Sequence, residues 1–247
     1  MLPTPLLIAL QFLTRLPVRL PGMPAPEQVG RSLLWYPLVG LLLGALLLAA
    51  QALLSQQPTV LQVALLLTLW VALSGGLHLD GLADTADAWV GGYGDRERTL
   101  AIMKDPRSGP IAVVVLVLLL LLKFAALLVL LQAGQTLALL LAPWLGRSAL
   151  PLLLRSTAYV RPGGLGVQLA EHLPRRELPR VLGLHLALLA LTGLSGLWAL
   201  LAATLVFVLW RRALLARLQG TTGDTAGALV ELTEVAVLLV LALLIVH

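Results

Sequence analysis

Seven stretches of nearly uninterrupted apolar sequence divide this chain, and almost all of its charge lies between them. A run of about 20 apolar residues is what a helix needs to cross the hydrocarbon of a bilayer. Of the 247 residues, 59% are hydrophobic and only 12% charged, too few charges to cover the surface of a soluble domain of this length. A transmembrane barrel would show short alternating segments, and none occurs. The fold class expected is therefore all-α, a polytopic membrane bundle forming a single domain over residues 1–247. The apolar segments run from about Leu33 to Leu54, Val60 to Leu77, Ile111 to Leu131 and Leu137 to Leu154, then Val181 to Trp210, and last Thr225 to Val246. The fifth of these is too long for one crossing. A break at Gly193-Leu194-Ser195-Gly196 makes it a hairpin of two short spans, giving seven; read as one span, it gives six. Before them, MLPTPLLIALQFLTRLPVRLP carries Pro3, Pro5, Pro17 and Pro21 but no basic leader and no A-x-A site. It reads as a short interfacial or re-entrant helix and not as a signal peptide.

The basic residues test that count. Arg15, Arg19 and Arg31 precede the first span, and Arg96, Arg98, Lys104 and Arg107 lie between the second and third. Arg147, Arg155, Arg161, Arg175, Arg176 and Arg180 lie at or after the end of the fourth, and Arg211, Arg212 and Arg217 precede the last. The connections Ser55–Thr59 and Gln132–Thr136 are uncharged. With seven spans every basic residue except Lys123 falls on one side, which the positive-inside rule makes cytoplasmic. The N-terminus is then inside and the C-terminus outside. The net charge of +5 is a topology signal on this reading, and nucleic acid is not an expected partner. Lys123, inside the third span, either snorkels to the interface or faces a cavity.

The chemistry concentrates in SGGLHLDGLADTADAWVGGY, residues 74–93. Asp80, Asp84 and Asp87 are spaced i, i+4, i+7, which puts three carboxylates on one helix face. Like charges stacked beside an apolar span repel and resist burial unless a cation sits among them. A merely solvated face would mix signs, yet no basic residue follows until Arg96. Carboxylate ligands suit Mg²⁺, which also keeps waters and substrate phosphates, so the three aspartates are metal-ligand candidates. Gly75, Gly76 and Gly81 are poor helix formers and suggest close approach of backbone to a ligand or a neighbouring helix.

A second acidic group, Asp224, Glu231 and Glu234, shares one broad face at the start of the last span. These three join the aspartates as catalytic candidates. The other reading of Glu231 and Glu234 is salt bridges to Arg residues of another span. Lys104, Asp105 and Arg107 form a charged turn before the third span, suited to clamping phosphate oxygens or simply to marking the inside face. Arg161 opens the Gly-rich loop RPGGLG, which could cover a nucleotide but is no Walker motif. His78 either orients a carboxylate or makes a structural hydrogen bond. None of the four histidines (His78, His172, His185, His247) has metal-ligand spacing, and the absence of cysteine excludes thiolate nucleophiles and iron–sulfur clusters. Two carboxylate clusters, basic clamps and no serine- or cysteine-type nucleophile fit phosphoryl or pyrophosphate chemistry, in which metal ions and positioning do most of the work.

GGLHLDGLADTADA (Gly75–Ala88), IMKDPRSG (Ile102–Gly109) and GTTGDTAGALVELTE (Gly220–Glu234), with the opening RSLLWYPLVGLLLG (Arg31–Gly44), resemble the cobalamin synthase family across almost the whole chain. The chain has Ala88 and Pro106 where that family often has Gly and Ser; neither change removes a carboxylate. The resemblance implies a Mg²⁺-dependent adenosylcobinamide-GDP ribazoletransferase of the bacterial inner membrane, with its active site on the cytoplasmic side. It would join adenosylcobinamide-GDP to α-ribazole or its 5′-phosphate, giving adenosylcobalamin or its 5′-phosphate and GMP. His78, Lys104, Asp105, Arg107 and Arg161 are then substrate-binding candidates, and the base stays unassigned. Membrane lipid, self-association and other enzymes of the cobalamin pathway are the further partners expected. The alternatives are a CDP-alcohol phosphotransferase-like or prenyltransferase-like enzyme, and an ion-coupled transporter with carboxylates in its pathway.

Overall fold

A computed structural model describes residues 2–105, 107–163 and 165–245. Pro106, Gly164, Val246 and His247, all part of the sequence reading, lie outside the described residues. The described chain is helical: α1 Thr4–Leu13, α2 Pro26–Ser32, α3 Tyr36–Leu53, α4 Thr59–Ser74, α5 Leu77–Gly91, α6 Arg96–Ile102, α7 Pro110–Gln132, α8 Ala138–Ser156, α9 Leu165–Glu171, α10 Leu178–Ala190, α11 Gly193–Leu218 and α12 Gly223–Leu243. A 3₁₀ turn at Leu33–Trp35 joins α2 to α3. The expected all-α membrane bundle is what forms.

Each of the seven apolar segments is a helix. By length and apolarity four crossings qualify, Pro26–Leu53, α7, α11 and α12, and a fifth if α4 and α5 count together. This is fewer than seven for two reasons. The helix α8 contains Arg147, Pro143 and Pro151, and α10 has only 13 residues. The break expected at Gly193–Gly196 falls just before it, where Gly193 takes φ +65° between α10 and α11. The N-terminal segment forms α1, which buries Ile8, Ala9, Leu10 and Leu13 in a core shared with α3, α8 and α12.

The helix α12 is the hub. Its most apolar stretch is 72% buried, against 17% for that of α11, which presents Leu197, Leu201, Leu205 and Leu209 outward. Exposed leucines and valines along α7 (Val113, Val117, Leu121) do the same. In water such surfaces would be a liability; beside lipid tails they cost nothing. Small residues let helices approach closely. A methyl group on Gly40 would sit 2.5 Å from the Pro143 carbonyl oxygen, and one on Gly44 2.7 Å from Leu140 Cα, so α3 lies antiparallel against α8.

Four charges are buried among these helices. Lys123 of α7 donates to Glu231 at 2.7 Å and also to Glu234, and Arg147 of α8 pairs with the other oxygen of Glu234. The Lys123 ammonium stands 4.9 Å over the Trp70 ring. The set is neutral and ties α7, α8 and α12 together, so Lys123 neither snorkels nor faces open space. Arg147 also departs from the sequence reading. It does not mark the cytoplasmic edge, because α8 continues to Ser156 and leaves Arg147 fully buried in mid-helix.

Three other arginines sit on carbonyls where helices finish. Arg96 Nε donates to Leu218 O at 2.7 Å, Arg217 Nη2 to Trp89 O at 2.6 Å and Arg211 Nη2 to Ser156 O at 2.7 Å.

Removing one member of a buried ion pair typically costs about 3–5 kcal/mol, because its partner is left charged in a dry interior. Glu234→Ala should therefore lower the melting temperature in detergent sharply. The double variant Lys123→Met/Glu231→Gln, which deletes one charge of each sign, should lose much less. Equal melting of Glu234→Ala and the parent protein would show that the network carries no stability.

Candidate active site

The glycine pair Gly75-Gly76 decides where the aspartates go. Both residues take positive φ, +65° and +67°, the left-handed region open to glycine. Through them the chain turns 86° from α4 into α5. The sequence reading had the apolar span running directly on to Leu77; instead it stops at Ser74. The Arg15 side chain packs against Gly75, where a Cβ would fall 2.1 Å from its Nε.

The helix α5 then runs antiparallel along the start of α12. A Cβ on Gly81 would sit 2.7 Å from the Asp224 carbonyl oxygen, and one on Gly227 would sit 3.4 Å from His78 Cα. This close approach is what the glycines were expected to provide. The start of α12 is fixed by its own sequence. Thr222 is the N-cap, accepting from Thr225 N at 3.2 Å while Thr225 Oγ1 accepts from Thr222 N at 2.9 Å. Asp224 sits in the first turn, where the helix dipole favours a negative charge.

Just before this cap the chain pairs with the segment after α8: Thr221 N donates to Ala158 O at 2.8 Å, and Val160 N to Thr221 O at 2.9 Å. That pairing delivers Arg161, whose Nη1 bonds Asp224 Oδ2 at 2.6 Å. Burial holds the Tyr159 hydroxyl, in the same segment, above its ordinary range.

Asp80 and Asp224 line one cavity of about 240 Å³ together with His78, Gly81, Tyr159 and a wall of Phe12, Tyr36, Leu150 and Leu154. Asp84 lies in the field of Asp80, Asp224 and Asp87, opposed by the Arg161 guanidinium. Asp87 is engaged with backbone, accepting from Gly109 N at 2.5 Å and Ala112 N at 2.9 Å. It caps the start of α7 and ties the Met103–Gly109 turn to α5. In that turn Arg107 holds Asp105 in a two-pronged pair with a closest contact of 2.6 Å. Those hydrogen bonds push the Asp105 carboxyl down to about 2, so the pair stays charged at neutral pH. Lys104 is exposed in the same turn.

Of the sequence candidates, Asp80, Asp84, Asp224, His78 and Arg161 are thus brought together, with Asp87, Lys104, Asp105 and Arg107 at one flank. Glu231 and Glu234 are placed apart, inside the neutral network with Lys123 and Arg147. That leaves little of the open carboxylate pathway a transporter needs. Tyr36, Tyr159 and Phe12 had no signal in the sequence beyond their being aromatic. Among the described residues no three His, Asp or Glu side chains close a metal site by themselves. The donor set still fits Mg²⁺, which is commonly held by one or two carboxylates and completed by substrate phosphates.

A family model described as cobalamin-5-phosphate synthase matches residues 5–242. The chain belongs to that family. It is 74% identical over 236 residues to an adenosylcobinamide-GDP ribazoletransferase of Ectopseudomonas mendocina, covering 96% of this chain and 97% of the relative. A protein of the same name from Pseudomonas aeruginosa is 68% identical over 238 residues, with 96% and 97% covered. One from Pseudomonas fluorescens is 66% identical over 240 residues, with 97% and 99% covered. No solved structure matches the chain. As a cobalamin synthase family member it is a membrane-spanning transferase of cobalamin biosynthesis, and the resemblance drawn from its motifs holds.

The contact at Gly81 predicts a specific defect. A misplacement of about 1 Å near a reacting centre can cost about a hundredfold in rate. Gly81→Leu, which must push α5 off α12, should lose activity on that scale in protein that still inserts and purifies. Gly183→Ala, which meets nothing within 4 Å, should behave as wild type. Full activity in Gly81→Leu would mean that Asp80 and Asp224 need not face each other.

Proposed function

We propose that this protein transfers the adenosylcobinamide-phosphate group from adenosylcobinamide-GDP to α-ribazole or its 5′-phosphate. The products are adenosylcobalamin or its 5′-phosphate, and GMP. The observation that carries this reading is the convergence of Asp80 and Asp224, from two helices, on one cavity beside Arg161. The names of the relatives supply the substrate class.

A ribose hydroxyl of the acceptor attacks the phosphorus on the cobinamide side. A new P–O bond forms, the P–O bond to GMP breaks, and the hydroxyl proton passes to a carboxylate. Asp80 and Asp224, which line the cavity, and Asp84 beside them are the acceptors on offer. Glu231 and Glu234 are less suited, because both are committed to buried cations. Positioned general bases contribute roughly 10²–10⁴-fold.

Asp80 and Asp84, with Asp224, are the side chains we assign to holding Mg²⁺; Asp87 serves by anchoring α5 to the turn before α7. Bound there, the ion would supply charge neutralisation at the diphosphate. Arg161 is well placed for the same anion, since a diphosphate competes with Asp224 for its guanidinium fork. Lys104 and Arg107 on the flank neutralise the leaving GMP. The cluster of basic residues at this end makes it the cytoplasmic face of the inner membrane by the positive-inside rule.

The test is GMP release from adenosylcobinamide-GDP by purified protein in detergent, with and without Mg²⁺. Release should require the ion and should be abolished in Asp84→Asn although that variant inserts and purifies. Near-normal turnover in Asp84→Asn, or undiminished turnover in excess chelator, would remove the metal role. Arg107→Ala should raise KM for the GDP-bearing substrate and leave that for α-ribazole alone. An unchanged profile would reduce Arg107 to a topology signal.

A further inference from the structure

The cavity beside Asp80 and Asp224 is too small for most of what this reaction handles. A dry cavity of about 150 Å³ takes benzene, so 240 Å³ has room for a fused pair of rings. A corrin macrocycle does not fit, and drug-sized ligands occupy about 300–1,000 Å³. The walls say more. Away from Asp80 and Asp224 they are the hydrocarbon of Leu150, Leu154 and Leu169 and the rings of Phe12 and Tyr36, which stack with centroids 6.3 Å apart.

Two residues of that lining each carry a buried polar atom with no partner among the described residues. These atoms are the Tyr36 hydroxyl and His78 Nε2, on residues 2% and 3% exposed. Ser32 lies near the Tyr36 hydroxyl, but its own hydroxyl donates to Val29 O at 2.6 Å and the two make no hydrogen bond of ordinary geometry. Buried polar groups are nearly always satisfied, and those left over in a binding cavity point to what the ligand must supply.

Two aromatic bases enter the proposed reaction. Guanine presents acceptors and donors along most of its edge, and each would need a partner. The Asp80 and Asp224 carboxylates are assigned to the ion and the reacting groups, and the rest of the lining, mainly hydrocarbon with two spare polar atoms, does not match that edge. The base of α-ribazole is a methylated benzimidazole. Once one ring nitrogen is joined to ribose, it keeps a single acceptor nitrogen and otherwise presents hydrocarbon.

Resting on the proposed function, we infer that this cavity binds the benzimidazole base of the acceptor nucleoside. The Tyr36 hydroxyl donates to its free ring nitrogen. The ribose lies toward His78 and the carboxylates, where the attacking hydroxyl meets the diphosphate. Guanine and corrin are left to bind outside this pocket. Acceptor choice is then set by shape and one hydrogen bond at Tyr36, a residue with no part in the metal or phosphate machinery.

Two arms test this on the full chain in detergent. In the first, free dimethylbenzimidazole is titrated into wild type and into Leu150→Trp, whose indole would fill the space. Wild type should bind the base and Leu150→Trp should not; equal binding by both, or none by wild type, overturns the assignment. In the second, Tyr36→Phe keeps the ring and removes one hydrogen bond. KM for α-ribazole should rise roughly three- to tenfold, the worth of one neutral hydrogen bond, with KM for adenosylcobinamide-GDP and the melting temperature unchanged. A shift in KM for the GDP substrate, or in neither, overturns the assignment even if Leu150→Trp fails to fold. Wild-type protein that binds the base yet releases no GMP would instead sink the proposed reaction while the pocket assignment stands.

Discussion

The backbone of α12 at Asp224 stands so close to α5 that a single methyl group on Gly81 would lie 2.7 Å from its carbonyl oxygen. Everything at the site depends on that approach. It holds carboxylates from two parts of the chain, separated by more than half its length, at one cavity. The approach needs three things together: an abrupt turn at Gly75-Gly76, a side-chain-free surface at Gly81 and Gly227, and a start to α12 fixed by the Thr222–Thr225 capping box. Loss of any one would leave Asp80 facing hydrocarbon or solvent, with no opposing acid.

The protein treats its two sets of acids in opposite ways. In the interior, Glu231 and Glu234 are matched by Lys123 and Arg147, so the group is neutral and tolerable where water cannot screen it. At the end of the bundle, Asp80, Asp84, Asp87 and Asp224 share a field in which Arg161 is the opposing cation. Unmatched negative charge beside an apolar wall is unfavourable for the folded chain alone. Natural proteins keep such arrangements where a ligand completes them, and the proposed Mg²⁺ and diphosphate would do so here. The contrast between the matched and the unmatched set separates structure from chemistry better than the presence of carboxylates does.

Much of this could be read from the sequence, because a bilayer leaves few options. Apolar runs become helices, and the i, i+4, i+7 aspartates do lie together on α5. What escaped was set by contacts between distant segments. Nothing local reveals that Gly75-Gly76 turns the chain by 86° and does not simply loosen a straight span. Arg147 was grouped with the basic residues at or after the end of the fourth segment, because nothing local marks it as a buried charge; its counter-ion, Glu234, is 87 residues away. Asp87 is spaced like a third ligand, but both its oxygens meet amides at the start of α7, a use that only the loop closure shows. Tyr36 and Phe12 carry no signal in the sequence beyond their being aromatic, and their place in a cavity wall follows from α1 packing across α3.

The arginines at the site end carry a further consequence. The positive-inside rule treats such residues as topology signals, and a helix-end view treats them as partners for the last carbonyls, where the dipole is negative. Here they are both. Arg96, Arg211 and Arg217 each reach the closing turn of a helix other than their own, so the charges that would orient the chain during insertion also lock α5, α8 and α11 together afterwards. Those guanidiniums are spent on carbonyls, so they do not form ready-made phosphate sites. Arg161 differs, since its partner is the Asp224 carboxylate, whose place beside the guanidinium a phosphate group can take. Arg161, and Arg107 with Asp105 on the flank, are held by carboxylates and not by carbonyls, so their bonds in the folded chain have a reason to break when substrate arrives.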